Sequence, residues 1–269
     1  MRVAIGVFVS DGVYETMKKL WVSNVLNANN DHIHVFFLND VKTKEEEKTI
    51  TLYPGIYDLY SMTNFVFNES HLQKTKDFFQ KVYKYYDFIL RTNASTLFDI
   101  NKLCSFLKKC PIENYLAGPF IAKFYGLSSA ISGTCIIMST DVTELLLKKW
   151  DSLSTQVNKD VALTTLMIAN FNGIILQNIR RVDFVENKKI IFHKCTSSSK
   201  DEIFCYRFKS EDRLDDCLKM QELMYHFDIS KMIGPENITI EEDPDFELYF
   251  NEVPFKIEGY NITTFQQTS

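Results

Sequence analysis

Polar and charged side chains follow apolar, strand-like runs of this sequence, and chemistry is expected at those positions. Arg91 opens the polar stretch Arg-Thr-Asn-Ala-Ser directly after the apolar run 88–90. Asp160 stands at the start of a predicted helix, where the helix dipole favours a carboxylate. A carboxylate can take the proton of a reacting hydroxyl, and a guanidinium can neutralise a phosphate. Spacing alone does not separate this role of Asp160 from that of an ordinary helix-start residue.

Alternating strands and helices are predicted to position these side chains. Residues 3–9 form a short β-branched run typical of a buried strand, a helix carrying Trp21 on its apolar face follows, and residues 33–38 form a second strand. This alternation predicts an α/β sheet with parallel strands. Ligands of open α/β sheets bind beyond the carboxyl ends of the strands, which is where Arg91 to Ser95 fall.

The remaining elements continue the pattern. Residues 42–48 are a charge run that predicts a solvated loop or helix start. The periodicity predicts further helices over 72–86, 100–109, 142–150, 159–170 and 213–227, and further strands over 87–93, 131–138, 174–176 and 189–192. No internal repeat or flexible linker interrupts the chain, so we expect one domain with a C-terminal appendage.

The composition is that of a folded protein. Of its 269 residues, 45% are hydrophobic and 24% are charged, which excludes a disordered chain. The net charge of −5 argues against a protein held to nucleic acid by phosphate neutralisation. Aromatic residues make up 14%, enough for a large core and for contacts with a ring-shaped ligand.

Cysteine spacing and the N-terminal run bear on the compartment. The six cysteines include no CxxC pair, which excludes zinc-ribbon and thioredoxin-like sites of the usual spacing. The apolar N-terminal run is broken at Asp11 and is too short for a signal peptide, and no later run is long enough to span a bilayer. We therefore expect a cytoplasmic protein with reduced cysteines and no membrane span.

Several common catalytic motifs are absent from the sequence. The first strand is not followed by GxGxxG, and neither GxxxxGK[ST], GxSxG nor HExxH occurs. A usual dinucleotide fold, a P-loop, an α/β-hydrolase elbow and a zincin helix are therefore excluded.

Five blocks, in their order along the chain, resemble glycosyltransferase family 31, the β-1,3-galactosyl- and N-acetylglucosaminyltransferases and Fringe proteins. They are Asn68-Glu-Ser-His-Leu-Gln-Lys-Thr75, the stretch DFILRTNASTLFDI from Asp87, the stretch ISGTCIIMSTDV from Ile131, Lys159-Asp160-Val161 and Phe192-His193-Lys194. They are similar to the family's Asn-Leu-Thr-x-Lys-Thr, Lys-Thr-Asp-Asp-Asp, Ser-Gly-x-Gly-Tyr-x-x-Ser and Glu-Asp-Val blocks and to its late histidine. The resemblance covers roughly residues 3 to 195.

The resemblance implies a GT-A fold and an inverting sugar transfer. We expect a nucleotide-sugar-binding half at 1–110, an acceptor and catalytic half at 111–195 and a C-terminal extension at 196–269, around a mixed, mostly parallel sheet flanked by helices. The implied donor is a nucleoside-diphosphate sugar, usually of uridine, and the acceptor is a hydroxyl of a glycan or glycoprotein. Asp160 matches the family's general base, whereas Lys159 replaces its Glu. Soluble members of this kind are expected in microbes and large DNA viruses.

The family's metal motif is altered in this chain. Its three aspartates correspond to Asn93, Ala94 and Ser95, so a Mn²⁺ or Mg²⁺ ion held by Asn93, Ser95 and His193 would lose carboxylate ligands and bind more weakly. Asn and Ser are also common turn residues, and a lone histidine after a strand is often structural. If the metal is dispensed with, one or more cations would neutralise the diphosphate, and the candidates are Arg91, Lys194, Arg207, Lys209 and Arg213.

The donor-binding prediction covers residues at the ends of several strands. The predicted contacts to the nucleotide are Ser10, Asp11, Asp40, Arg91, Asn93, Ser95 and Lys209. For Ser10, Asp11 and Asp40 an ordinary loop position after a strand is an equal alternative.

Three alternatives to the inverting enzyme remain open. The chain could be a non-catalytic nucleotide- or glycan-binding module that lost its Asp-x-Asp motif. It could be a nucleotidyltransferase on a similar core, although Ser10-Asp11-Gly12 is a poor glycine-rich loop. A retaining transfer is the third, because one candidate carboxylate does not fix the stereochemistry.

Overall fold

A computed structural model gives the fold. It describes residues 1–63, 67–121, 130–153, 159–170, 173–185, 190–194, 203–228, 232 and 238–242. The helices are α1 (Val13–Ala28), α2 (Phe67–Val82), α3 (Ile100–Leu107), α4 (Thr140–Lys148), α5 (Lys159–Asn170) and α6 (Arg213–His226). The strands are β1 (Val3–Phe8), β2 (Ile33–Val41), β3 (Lys48–Tyr53), β4 (Ile56–Met62), β5 (Phe88–Asn93), β6 (Thr96–Phe98), β7 (Tyr115–Gly118), β8 (Phe120–Ile121), β9 (Ala130–Ile131), β10 (Ile136–Ser139), β11 (Ile175–Asn178), β12 (Arg181–Phe184), β13 (Ile190–Lys194), β14 (Cys205–Phe208) and β15 (Ile238–Glu242).

The large sheet has eight strands in the order β11-β7-β10-β5-β1-β2-β4-β3. Its pairings are parallel from β5 through β1 and β2 to β4 and between β11 and β7. They are antiparallel where β10 meets β5 and β7 and where β3 meets β4. The predicted α/β class, a mixed sheet flanked by helices, is confirmed.

Helices cover both faces of this sheet. Apolar side chains of α1, α3 and α6 pack on one face, in a core that includes Trp21, Leu103 and Met220. Apolar side chains of α2, α4 and α5 pack on the other face, in a core that includes Phe78 and Leu163. We call this second side the α2/α5 face.

The register of the central strands aligns their carboxyl ends. In β1, Gly6 pairs with Arg91 of β5, and Phe8 pairs with Asn93. Because side chains alternate along a strand, Phe8, Arg91, Asn93 and Asp40 of β2 all belong to the α2/α5 face. Four polar or aromatic side chains therefore meet at one edge of the sheet.

A second sheet, of five strands in the order β15-β13-β12-β14-β6, continues from the turn after β5. Residues 205–208 form β14, which pairs with β6 and β12, and Met220 of α6 is fully buried in the core that α1 shares. This part of the predicted C-terminal extension thus packs directly on the rest of the chain.

Several predicted elements match the structure and others do not. The predicted run 131–138 is divided, since β9 ends at Ile131 and β10 begins at Ile136, with a turn between them. The helix predicted over 72–86 begins at Phe67 and ends at Val82. Strands β3, β4, β6, β7, β8, β12 and β14 were not predicted. Across the described ranges, no helix is long and apolar enough to cross a membrane.

Candidate active site

A row of charged side chains lies along the carboxyl edge of the central strands, on the α2/α5 face. From β2 toward β10 its members are Asp40, Lys74, Arg91, Asp160 and Lys159, and Phe8 lies among the three cations. We call these six residues the charged row.

Asp160, the predicted base, lies in the first turn of α5 and is held from two sides. Its Oδ1 accepts a hydrogen bond from Arg91 Nη1 at 2.8 Å, and its Oδ2 accepts one from the backbone N–H of Gly133 at 3.1 Å. The side chain is 21% exposed, so solvent and a ligand can reach it. A carboxylate that solvent can reach can take the proton of an approaching hydroxyl.

The turn between β9 and β10 fixes the orientation of this carboxylate. A Cβ added to Gly133 would overlap both oxygens of Asp160, so the absence of a side chain allows the close approach. The carbonyl of Gly133 accepts a hydrogen bond from Asn93 Nδ2, and the carbonyl of Thr134 accepts one from Thr92. Asp160 and Asn93, two predicted site residues, are thus joined through a single glycine.

Arg91 is buried at the centre of the row, with a side chain only 1% exposed. Its Nε donates to Thr75 Oγ1 at 3.2 Å, and its Cζ lies 4.6 Å from the centre of the Phe8 ring. Its Nη2 is buried and has no hydrogen-bond partner among the described residues. An unpaired buried donor is costly, so this nitrogen indicates a place where a ligand acceptor would be stabilised.

Lys74 and Asp40 form the end of the row nearest β4. Their charged atoms are 2.7 Å apart, and Asp40 also accepts hydrogen bonds from Thr63 and Ser70. Burial raises the pKa of Asp40, but the hydrogen bonds and the charge of Lys74 outweigh it and lower the pKa below its usual value. Burial lowers the pKa of Lys74 in turn.

Close packing of α2 on β1 places Lys74 in this row. A Cβ on Gly6 would overlap the ring of Phe78, so only glycine lets the helix lie so close to the strand. Lys74 lies one turn before Phe78 on the same face of α2, and its Nζ is therefore 5.4 Å from the centre of the Phe8 ring.

Lys159 adds a third cation at the start of α5. The residue is 8% exposed, and its Nζ lies 5.7 Å from the centre of the Phe8 ring. Burial above all, together with the charges of Arg91 and Lys74, lowers the pKa of Lys159 to about 7, although the charge of Asp160 opposes this. Near neutral pH this amine is thus partly uncharged and can take up a proton when an anion approaches.

Asn93, Ala94 and Ser95 form the turn from β5 into β6, as the turn interpretation predicts. Ser95 accepts a hydrogen bond at its backbone oxygen from Phe208, and the Asn93 amide donates to Gly133. Only neutral side-chain oxygens are offered here, whereas hard cations bind firmly to carboxylates. In the described ranges no group of three or more His, Cys, Asp or Glu could hold a metal ion. This donor set does not fit a divalent cation.

The other predicted site residues, Ser10, Asp11, Lys209 and His193, are not members of the charged row. Ser10 and Asp11 are exposed in the turn between β1 and α1, and Lys209 is exposed just after β14. His193 belongs to β13, which is separated from β6 by β12 and β14. Three strand spacings of about 4.8 Å lie between β13 and β6, so the backbone does not bring His193 next to the Asn93 turn.

A second polar cluster, which the sequence did not predict, borders the turn between β9 and β10. Arg181 and Asp183 of β12 form a two-point ion pair of 2.5 and 3.0 Å, and Arg207 of β14 contacts Asp183 at 3.4 Å. Arg181 also donates to Thr134 Oγ1. Burial lowers the pKa of Arg207, and Asp183 partly restores it.

The sequence did not single out Lys74 or Phe8 as site residues. Lys74 does stand in the block from Asn68 to Thr75 that resembles family 31, which was the available signal. Phe8 is one aromatic of an apolar strand, and no sequence pattern marks it. The row as a whole combines β1, β2, β5, α2 and α5, so its assembly depends on tertiary packing.

Comparison with known proteins gives structural likeness only. No protein-family model and no curated protein matches this chain. One similar solved structure is the catalytic domain of Drosophila β1,4-galactosyltransferase 7 in complex with xylobiose, which is 17% identical with a TM-score of 0.41. The match covers 66% of this chain and 64% of that chain, so this chain spans just under two thirds of its length. A glycosyltransferase involved in glycosylation of the major capsid of PBCV-1 is 10% identical, TM-score 0.48, over 82% of this chain and all of the other.

The likeness is not confined to sugar transferases. The 4-diphosphocytidyl-2C-methyl-D-erythritol synthase of Anaerococcus prevotii is 8% identical with a TM-score of 0.46, over 84% of this chain and 99% of that one. At these identities and TM-scores, the likenesses do not decide the activity.

Proposed function

We propose that this chain is a GT-A glycosyltransferase of the family 31 type. It moves a sugar from a nucleoside-diphosphate donor, a uridine one by the resemblance, to a hydroxyl of a glycan or glycoprotein, with inversion at the anomeric carbon. Asp160 is the general base. The five family-like blocks and their order along the chain support this proposal. In the fold, the Asp160 block and the Asn93 block lie at one edge of the sheet, where both contact Gly133.

The observation that carries the proposal is the held, partly exposed carboxylate of Asp160 beside three cations. In the reaction, an oxygen of Asp160 takes the proton of the acceptor hydroxyl as the hydroxyl oxygen attacks the anomeric carbon. The bond between that carbon and the diphosphate breaks, and the diphosphate leaves with the electron pair. The base and the charge-neutralising groups are thus needed within a few ångströms of each other, as in the charged row.

Replacing Asp160 by Asn tests the role of the base. We expect turnover, measured as release of nucleoside diphosphate from a panel of nucleotide sugars with and without Mn²⁺, to fall by about 10²- to 10⁴-fold. Donor affinity should be retained, because Asn keeps the shape of the side chain and one acceptor oxygen.

Asp141→Asn is the matched control. Asp141 also lies in the first turn of a helix and accepts a backbone N–H, that of Asn114. It follows β10, which runs antiparallel to β5, so it lies at the opposite edge of the sheet. Turnover of Asp141→Asn should equal that of the wild type. Equal turnover of Asp160→Asn would remove Asp160 from the mechanism, and donor binding without any turnover would favour the non-catalytic binding module.

A further inference from the structure

The charged row contains more positive than negative groups. Three cations, Lys74, Arg91 and Lys159, share two carboxylates, Asp40 and Asp160. The start of α5 adds the positive end of a helix dipole at the same place. All three cations are almost fully buried, where charge–charge interactions are stronger than in water.

We propose that Lys74, Arg91 and Lys159, gathered around Phe8, form a built anion site that takes the diphosphate of the donor on side-chain cations. This proposal deepens the proposed function and rests on it for the identity of the anion.

The unpaired Nη2 of Arg91 supports the assignment. The other two nitrogens of this guanidinium are satisfied by Thr75 and Asp160, and only Nη2 lacks a partner among the described residues. A phosphate oxygen would supply the missing acceptor, and hydrogen bonds between a guanidinium and a phosphate are among the strong ones.

Solvent reaches the charged row at its two carboxylates. The carboxylates of Asp40 and Asp160 are 32% and 21% exposed, whereas the three cations are almost fully buried. Among the described residues, the charged groups that act on Lys159 are Arg91 of β5, Lys74 of α2 and Asp160 of α5.

Binding should therefore be coupled to proton uptake. Burial and the neighbouring cations lower the pKa of Lys159 to about 7, so at pH 8 much of this amine is neutral in the free protein. A bound diphosphate adds negative charge beside it and raises its pKa, so that the amine takes up a proton from the buffer.

Calorimetric titration of inorganic pyrophosphate, and in separate runs of uridine diphosphate and uridine, tests the site in buffer containing EDTA. We expect both diphosphates to bind without divalent cation and uridine alone to bind much more weakly. Lys74→Met and Lys159→Met should each weaken pyrophosphate binding at least tenfold. Binding that appears only with Mn²⁺ or Mg²⁺, or that both variants leave unchanged, would overturn the proposal.

Lys18→Met is the matched control for Lys74→Met. Lys18 is also a mostly buried lysine, 2.7 Å from a buried carboxylate, that of Asp58, and 5.3 Å from a phenylalanine ring, that of Phe37. It lies on the opposite face of the sheet, on α1. Its replacement should leave pyrophosphate affinity unchanged, which separates loss of the anion site from loss of a buried ion pair.

Lys159→Arg supplies a readout that a structural role would not affect. Arginine keeps the charge but stays protonated, so binding should persist while proton uptake at pH 8, measured in buffers of different ionisation enthalpy, disappears. Equal proton uptake by wild type and Lys159→Arg would remove Lys159 from the site.

Two outcomes separate the anion site from the proposed function. Pyrophosphate binding with no sugar transfer would support the anion site and reject the proposed function. Sugar transfer that the Lys74 and Lys159 variants leave unchanged would support the proposed function and reject the anion site.

Discussion

At the scale of single residues, Lys159 has a pKa far below that of a free lysine side chain. Burial is the largest cause, and with the charges of Arg91 and Lys74 it lowers the pKa of Lys159 to about 7. In the unfolded chain the pKa returns to about 10.4. Between these two values the unfolded state binds more protons than the folded state, so this residue makes stability rise with pH.

Lys159→Met should remove that contribution. From pH 7 to pH 9 the wild type should gain about 1–2 kcal/mol of unfolding free energy relative to the variant, as obtained from urea unfolding at both pH values. The groups that titrate in both proteins cancel in this comparison. An equal change with pH in the two proteins would show that the amine is not confined in the folded state.

Such a residue is hard to recognise from sequence. The pair Lys159-Asp160 marks a helix start, and the position of Asp160 at that start was predicted. The depressed pKa of Lys159 depends first on burial and then on Arg91 and Lys74, which are distant in sequence and converge only when α2 packs on β1 and against α5. Helical periodicity carries no information about that convergence.

At the scale of elements, the turn between β9 and β10 has the largest role in the candidate site. The sequence predicted one strand over 131–138, where five of the eight residues are apolar. The structure instead places a turn at Ser132 to Cys135, where the backbone of Gly133 meets Asp160 and Asn93. A Ser-Gly pair inside an apolar run is a turn signal, and here it outweighs the β propensity around it.

Gly133→Ala tests this turn. The added Cβ would overlap the Asp160 carboxylate, while the backbone of Gly133 does not have a positive φ and can accept alanine. We expect a fall in turnover of about tenfold or more from a displaced base, and a lower melting temperature because the buried Arg91 loses its partner.

The double variant Gly133→Ala with Asp160→Asn gives the control. If the glycine acts through Asp160, the two losses should not multiply, because residues in direct contact are not additive. Losses that multiply, or full turnover in Gly133→Ala, would show that the turn does not position the base.

The sequence predicted the central elements better than the peripheral ones. β1, β2, β5 and the helices around them are long and strongly patterned, and they were placed within a few residues. β7, β12 and β14 have four residues each, too few for a period to be recognised, and their identity depends on pairing with distant strands. The carboxyl edge of the sheet was therefore predictable, whereas the Arg181–Asp183 pair beside it was not.

At the scale of the whole molecule, the eight-stranded sheet, the five-stranded sheet and helix α6 pack into a continuous body. β14 pairs with β6 immediately after the Asn93 turn, and Trp21 of α1 donates from its indole to the backbone of Ala94 in that turn. α6 packs against α1 through Met220 and Leu223, both fully buried. The Asn93 turn of the candidate site is thus packed against β14 and α1, and α1 in turn is packed against α6.

This packing predicts cooperative unfolding in which α6 takes part. Met220→Ala should destabilise the protein by about 2–5 kcal/mol, because a buried methionine leaves a cavity when truncated. The transition followed by tryptophan fluorescence, to which Trp21 contributes, and the transition followed by far-UV circular dichroism should coincide in urea and shift together in the variant. Leu218→Ala, on the same helix but 65% exposed, should change stability by no more than about 0.5 kcal/mol. If Met220→Ala shifted only part of the dichroism change and left the fluorescence transition in place, α6 would belong to an appendage that unfolds by itself, and the support it gives to the Asn93 turn would be dispensable.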